Sequence, residues 1–357
     1  MSKHLYKYND SFPLESGGAL PSIEIAYHTY GELNAKKNNV IWICHALTAS
    51  SDAADWWSGL VGEGKIFDPK KYFIVCANIL GSCYGSSGPV SVNPSTGRKY
   101  HAAFPAITIR DMVNAHILLR KHLGIEKIAI GAGGSMGAYQ LLEWAVIEPK
   151  LFERQILMNT SARESAWGIA IHTAQRLAIE ADSTWKNDSD DAGAKGLKAA
   201  RAIGMLTYRN YETFAAQQTE EDHNKLDNHK AASYISYQGD KLVKRFNAQS
   251  YWLLTKAIDS HNIARGRVVT PALMGGKVGG ATKSLPSGLG QVLQKIKTKI
   301  LVIGISSDIL CPNAEQKFLA KHLSKATLKI IDSSFGHDGF LIEWEKLTKV
   351  ISSFLKK

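Results

Sequence analysis

The chain has 357 residues, of which 45% are hydrophobic and 21% charged, and its formal net charge is +11 at pH 7. These proportions exclude a disordered, collagenous or low-complexity chain, and no apolar run reaches the roughly 18 residues needed to span a membrane. The basic excess is scattered rather than gathered into an arm or stripe, so neither nucleic acid nor a membrane is expected as a partner.

The opening residues, Met1 to Tyr8, are polar and lack the apolar core of a secretion signal, which predicts a cytoplasmic location. Short β-rich apolar runs then recur at 23–30, 39–44, 72–76, 127–132, 155–158, 299–304 and 327–331. Several are Val/Ile/Leu runs without alternation, as expected of strands buried on both faces. Helical spacing fills 107–123 and 136–147. Strand and helix in alternation predict a mostly parallel central sheet. The alternation stops at 161–290, which reads as helices at 196–206 and 246–258, a polar surface loop at 182–195, and a return linker at 275–290 holding six glycines and a proline. The predicted organisation is an α/β core of 1–160 and 291–357 with a helical lid, 161–290, inserted over the carboxyl edge of the sheet, where α/β proteins bind ligands. Amphipathic helices at 199–204 and 246–258 are candidates for pairing with a second subunit. Cys44, Cys76, Cys83 and Cys311 form no Cys-x-x-Cys pair, so no metal or redox centre is expected, and Cys44 and Cys76 read as buried thiols.

The segment 127–145 holds Gly133-Gly134-Ser135-Met136-Gly137, a G-x-S-x-G match with a strand before it and a helix after it. That is the setting of a nucleophile elbow. Its glycines are needed where a Cβ would strike neighbouring backbone, and the turn leaves the Met136 N–H at a helix N-terminus, able to bind an oxyanion. A serine nucleophile needs a base and an orienting acid, which follow it in the order acid, then histidine, in such sheets. Asp308 ends the strand at 299–304 plus its turn, and His337 follows Gly336 in the loop after the last strand. Asp332 is the rival acid, but it stands so near His337 in sequence that it reads as the start of the loop. In the expected mechanism His337 takes the Ser135 proton, Asp308 holds the imidazole tautomer, and Ser135 attacks an acyl carbonyl. The second oxyanion donor is expected from the loop His45-Ala46-Leu47-Thr48, at the Leu47 N–H, with His45 shaping the loop.

These residues sit in a wider set: AYHTYGELN at 26–34, HALT at 45–48, NILGSCYGSSGP at 78–89, NPSTG at 93–97, FPAITIRD at 104–111, LTYR at 206–209, DSH at 259–261 and GHDGFL at 336–341. Over almost its whole length the chain resembles the homoserine O-acetyltransferase family of α/β-hydrolase-fold acyltransferases. The resemblance implies an α/β-hydrolase fold and a ping-pong reaction of methionine biosynthesis. Acetyl-CoA acylates the serine, and the hydroxyl of L-homoserine then takes the acetyl group. It implies Ser135, Asp308 and His337 as the triad, Arg209 and Asp338 as contacts of the amino acid's carboxylate and amine, no bound cofactor or metal, and a homodimer. The chain departs from the family pattern at Ala138-Tyr139 after the elbow, in the polar stretch 186–195 and at Ser87. These departures leave open succinyl-CoA as donor or serine as acceptor, and composition does not separate the transferase from a serine esterase that uses the same triad with water as acceptor.

Overall fold

Ten strands and twelve helices order the chain in the computed structural model, which describes residues 1–267 and 287–356. The strands are β1 Ser2–Tyr8, β2 Phe12–Pro13, β3 Ala19–Leu20, β4 Ile23–Tyr30, β5 Val40–Cys44, β6 Phe73–Ala77, β7 Ile128–Gly134, β8 Phe152–Met158, β9 Lys299–Ile305 and β10 Ala326–Ile331. Eight of them form one sheet in the order β1-β4-β6-β5-β7-β8-β9-β10, with β2 and β3 a separate small hairpin. From β6 onward neighbours are parallel, while β4 runs antiparallel to both β1 and β6.

The helices are α1 Ala53–Trp56, α2 Ile109–His122, α3 Met136–Ile147, α4 Ala166–Glu180, α5 Ala194–Tyr208, α6 Tyr211–Gln218, α7 Lys230–Val243, α8 Ala248–Asp259, α9 Ser287–Lys295, α10 Asn313–His322, α11 Gly339–Ile342 and α12 Trp344–Leu355. None of the described helices is long and apolar enough to cross a membrane.

Strands β5 and β6 and most of β9 are unbroken apolar runs because both faces of the sheet are covered. In β5, Val40, Trp42 and Cys44 point into the core shared with α2 and α3, while Ile41 and Ile43 enter the second core, with Trp57, Phe67 and the α12 residues Leu347, Ile351 and Phe354. Trp42 meets Trp144 edge-on at a centroid distance of 5.2 Å, a favoured aromatic geometry. Helix α2 starts at Ile109 rather than at 107 because Thr108 and Asp111 form a reciprocal capping box that closes the helix there.

Two features differ from the sequence reading. Strand β1 has no apolar signal: its seven residues are mostly exposed, and it exists because β4 offers an edge that it pairs from Ser2↔Thr29 to Tyr8↔Ile23. Strand β8 starts at Phe152, three residues before the apolar run, because β7 extends the ladder to Phe152 and Arg154 through Ile128 and Ile130.

Helices α4 to α8 lie between β8 and β9, and the only strand-like feature among the described residues there is an isolated bridge from Arg163 to Asn262. The loop before α5 is tied to the core, where His101 meets Asp188 and Asp190, and Arg98 and Lys99 pair with the same two carboxylates. Helix α8, which overlaps the 246–258 candidate for subunit pairing, is instead internal: Tyr251, Leu253, Leu254, Ala257 and Ile258 are all buried within the chain. Among the described residues the exposed large apolar side chains of this helical region are elsewhere, at Trp167, Ile169, Leu177, Leu206, Tyr211, Leu226 and Tyr237. Most of the glycine-rich linker, 275–286, lies outside the described residues, and its last four residues open α9.

Candidate active site

The turn from β7 into α3 places Ser135 at φ 54° and ψ −127°. For a non-glycine residue this is strained, at a cost of order 1–3 kcal/mol, and it persists only where the surroundings over-determine it. Here they do. The Ser135 N–H donates to the Met158 carbonyl of the neighbouring strand at 2.9 Å. A Cβ on Gly133 would lie 2.8 Å from the Gly137 carbonyl carbon, and one on Gly137 only 2.1 Å from the Cys44 oxygen. The glycines therefore let α3 press against the end of β5. Gly137→Ala should cost about 3 kcal/mol of folding stability, since neither clashing atom is a movable side chain. Chemical denaturation of the variant reads this directly, and an unchanged unfolding free energy would contradict the close approach.

Asp308 follows β9 and His337 follows β10, so the parallel order of the sheet brings two loops to the edge that carries Ser135. His337 Nδ1 is 2.8 Å from Asp308 Oδ2. The other carboxylate oxygen, Oδ1, accepts the Leu310 and Cys311 N–H groups at 2.8 and 2.9 Å. Asn159, just past β8, donates from Nδ2 to Asp308 Oδ2 at 2.7 Å. Four donors thus hold one buried carboxylate, and the imidazole is fixed by it. Burial presses the His337 pKa down, but the Asp308 charge and hydrogen bond, aided by Asp338 and Glu164, outweigh it and leave the pKa raised above 6.5. Asp332 is exposed and accepts from Ser306 Oγ at 2.9 Å, away from the imidazole. Cys311 lies near both groups, within 4.8 Å by ligand atoms, but burial holds its thiol protonated and the Asp308 oxygens are already engaged, so the donor set does not suit a metal ion.

A cavity of about 660 Å³ opens over Ser135, His337 and Asp338. Leu47 lines it. Among the described residues the Leu47 N–H has no acceptor, and the Met136 N–H, in the first turn of α3, has no intrahelical one. Both are available to a developing oxyanion. His45 is fully buried, its Nδ1 2.9 Å from the Ala46 carbonyl and its Nε2 accepting the Ile79 N–H at 3.2 Å, and burial lowers its pKa to about 4. It is a neutral strut of the loop.

The lid reaches the base loop through Arg209, the residue that ends α5. Gly336 has φ +63°, and a Cβ there would lie 2.7 Å from the Tyr208 oxygen. Arg209 Nη1 pairs with Asp338 Oδ2 at 3.2 Å. Asp338 lines the cavity, and Arg209 adjoins it through this ion pair. Burial raises the Asp338 pKa, opposed by Arg209 and His337.

The sequence reading gave no role to several residues at or beside the cavity. Asn159 opens the polar run Asn159-Thr160-Ser161 after β8, and only its neighbour 149 residues away sets it apart. Tyr139, one of the departures noted above, points into the cavity. Its hydroxyl donates to Glu164 Oε2 at 3.0 Å and accepts from Ser161 Oγ at 3.2 Å, and its ring stacks on His261 with centroids 4.0 Å apart. Glu164 and His172 come from the start of the lid, and His172 Nδ1 is held by Asp259 at 2.8 Å.

Residues 39–343 match the α/β hydrolase fold family. The homoserine O-acetyltransferase of Cyclobacterium marinum is 47% identical over 354 residues, covering 99% of this chain and 95% of that one. The chain belongs to the homoserine O-acetyltransferase family. A second member, from Chlorobaculum parvum, is 44% identical over 99% of this chain and 94% of its own length. The crystal structure of homoserine O-acetyltransferase from Bacillus anthracis superposes with a TM-score of 0.85 at 25% identity, covering 100% of this chain and 98% of that one. Esterase E22, at 24% identity and a TM-score of 0.84 over 99% of both chains, shares the fold. Family membership thus rests on similarity along the whole chain, and the site on the His337–Asp308 pair beside the cavity that Ser135 lines.

Proposed function

We propose that this protein transfers an acetyl group from acetyl-CoA to the hydroxyl of L-homoserine through an acetyl-Ser135 intermediate, as a cytoplasmic enzyme of methionine biosynthesis. The observation that carries the reading is the His337–Asp308 pair, 2.8 Å apart, of which His337 lines one lidded cavity with the elbow serine. His337 removes the Ser135 proton as Oγ attacks the thioester carbonyl. The Leu47 and Met136 N–H groups receive the oxyanion, and CoA leaves with the proton returned by His337. In the second half-reaction His337 deprotonates the homoserine hydroxyl, which attacks the acyl-serine carbonyl and releases the ester. Arg209 and Asp338 form the acceptor site. A zwitterionic amino acid exchanges their mutual ion pair for two new ones, its carboxylate on the guanidinium and its ammonium on Asp338.

The test is the mass of the intact protein after brief exposure to acetyl-CoA, with succinyl-CoA in parallel. The expected result is an acetyl adduct that L-homoserine discharges faster than L-serine or water. A succinyl adduct alone would overturn the donor assignment, and discharge by water as fast as by homoserine would make the protein an esterase. Arg209→Ala and Asp338→Ala should keep the burst of CoA release yet discharge the acyl-enzyme to homoserine at least tenfold more slowly, since a charge-assisted hydrogen bond contributes about 1.5–3 kcal/mol. Single-turnover kinetics separates the two halves. Loss of the burst in Arg209→Ala, with normal discharge of the acyl-enzyme that does form, would move Arg209 to the donor side.

A further inference from the structure

Three lid cations line the cavity: Arg201, Lys241 and Arg245. Among the described residues none of them has a carboxylate within ion-pair distance, whereas Arg98, Arg110, Arg120, Arg176, Arg265 and Arg267 each have one. Arg201 belongs to the reacting end. Its guanidinium lies 5.5 Å from the centre of the Tyr208 ring, which is itself 6.0 Å from the His337 ring. Lys241 and Arg245 are different. They are exposed, four residues apart in the last turn of α7 and just beyond it, at the mouth of the same cavity. A helix C-terminus tolerates cations, but that does not account for both lining the cavity without an anion. Arg245 is also oriented: its Nη1 donates to the Thr48 carbonyl and to the Tyr84 hydroxyl, each at 2.6 Å. Thr48 adjoins Leu47, so the guanidinium is anchored to the oxyanion loop with its remaining N–H groups unspent.

We propose that Lys241 and Arg245 form an anion site at the cavity mouth that takes a phosphate group of the thioester donor. The inference rests on the acyl-transfer reading above. An anion could reach this rim from two sources, the phosphates of a CoA handle or the distal carboxylate of a dicarboxylic acyl group. The exposed position favours the phosphates. The acyl group must sit at Ser135, beneath the lid, while the handle trails outward past these two side chains.

The experiment compares acetyl-CoA with S-acetylpantetheine, the same thioester without phosphates, on the wild type, Lys241→Ala and the Lys241→Ala/Arg245→Ala double variant. The KM for acetyl-CoA should rise about fivefold in Lys241→Ala, the scale of an exposed ion pair, with kcat retained and the KM for S-acetylpantetheine where it was; in the double variant kcat/KM for acetyl-CoA should fall at least fivefold further than kcat/KM for S-acetylpantetheine does. Added salt should raise the wild-type KM for acetyl-CoA and do so less in the double variant. An unchanged KM for acetyl-CoA, or equal losses with both thioesters, overturns the site; the latter would make Arg245 a positioning residue of the oxyanion loop. Succinylpantetheine is the third arm: if its use falls in the variants while the acetyl thioesters are unaffected, the cations serve a carboxylate instead. Failure of the acyl-transfer reading is separately visible, because the wild type would then form no acyl-enzyme from any of these thioesters.

Discussion

Ser135→Ala should abolish the acetyl adduct and lower kcat by roughly 10⁴- to 10⁶-fold, the range over which removal of an elbow-type nucleophile acts. The residue occupies φ 54°, so alanine inherits the same backbone strain and the turn stays held by the Met158 carbonyl and by Gly133 and Gly137. The fold should therefore survive, and unfolding measurements should separate lost chemistry from lost structure. The thiol that lines the cavity, Cys311, does not replace the nucleophile. Burial raises the pKa of the Cys311 thiol far above its ordinary value, which keeps it protonated and unreactive. An alanine variant that turns over at near the wild-type rate, or that still carries an acetyl group, would remove Ser135 from the mechanism.

The second large effect belongs to Asp308→Asn, for which a loss on the order of 10⁴ in kcat is expected. The reason lies in the four donors around this carboxylate. Its Oδ1 accepts two backbone N–H groups and its Oδ2 accepts from Asn159 and faces His337 Nδ1. An asparagine has one acceptor oxygen, which the two fixed N–H groups claim. Its NH₂ then faces Nδ1 and favours the tautomer with the proton on Nε2, the nitrogen that must accept from Ser135. A pH profile adds an independent reading. The base must be neutral, and its pKa lies above 6.5 in the intact protein, so acylation should rise with pH through a midpoint above that value. Without the carboxylate, burial dominates, and the residual activity of the variant should have a lower midpoint. Asp332→Asn, at an exposed side chain bonded to Ser306, should change activity less than twofold. If Asp332→Asn proves the crippling change, the acid has been misassigned.

How much of this was legible beforehand depended on whether the deciding interaction was local. The elbow was readable because its requirements are met within five residues: two small residues flank the serine, a strand leads in and a helix leads out. Strands β5, β7 and β9 were readable because burial on both faces forces an unbroken apolar run. Strand β1 was not, since an exposed edge strand owes its existence to the partner it pairs with, and nothing in Ser2–Tyr8 marks that partner. Asn159 was not, since its function lies in a carboxylate 149 residues away. Tyr139 was visible as a departure from a familiar pattern, yet its meaning, a hydroxyl on Glu164 inside the cavity, depends on where the lid begins.

The residues themselves therefore indicated the parallel sheet, Ser135 as the candidate nucleophile and His337 with Asp308 as its candidate base and acid, because periodicity and turn sterics act over a few positions. Only the tertiary structure showed which donors hold Asp308, that Arg209 pairs with Asp338, and that Lys241 and Arg245 share a cavity with Ser135. These are contacts between loops and helices brought together by the closing of the sheet and the lid. Pairing over such separations is set by the packing of the whole chain, which no local pattern encodes.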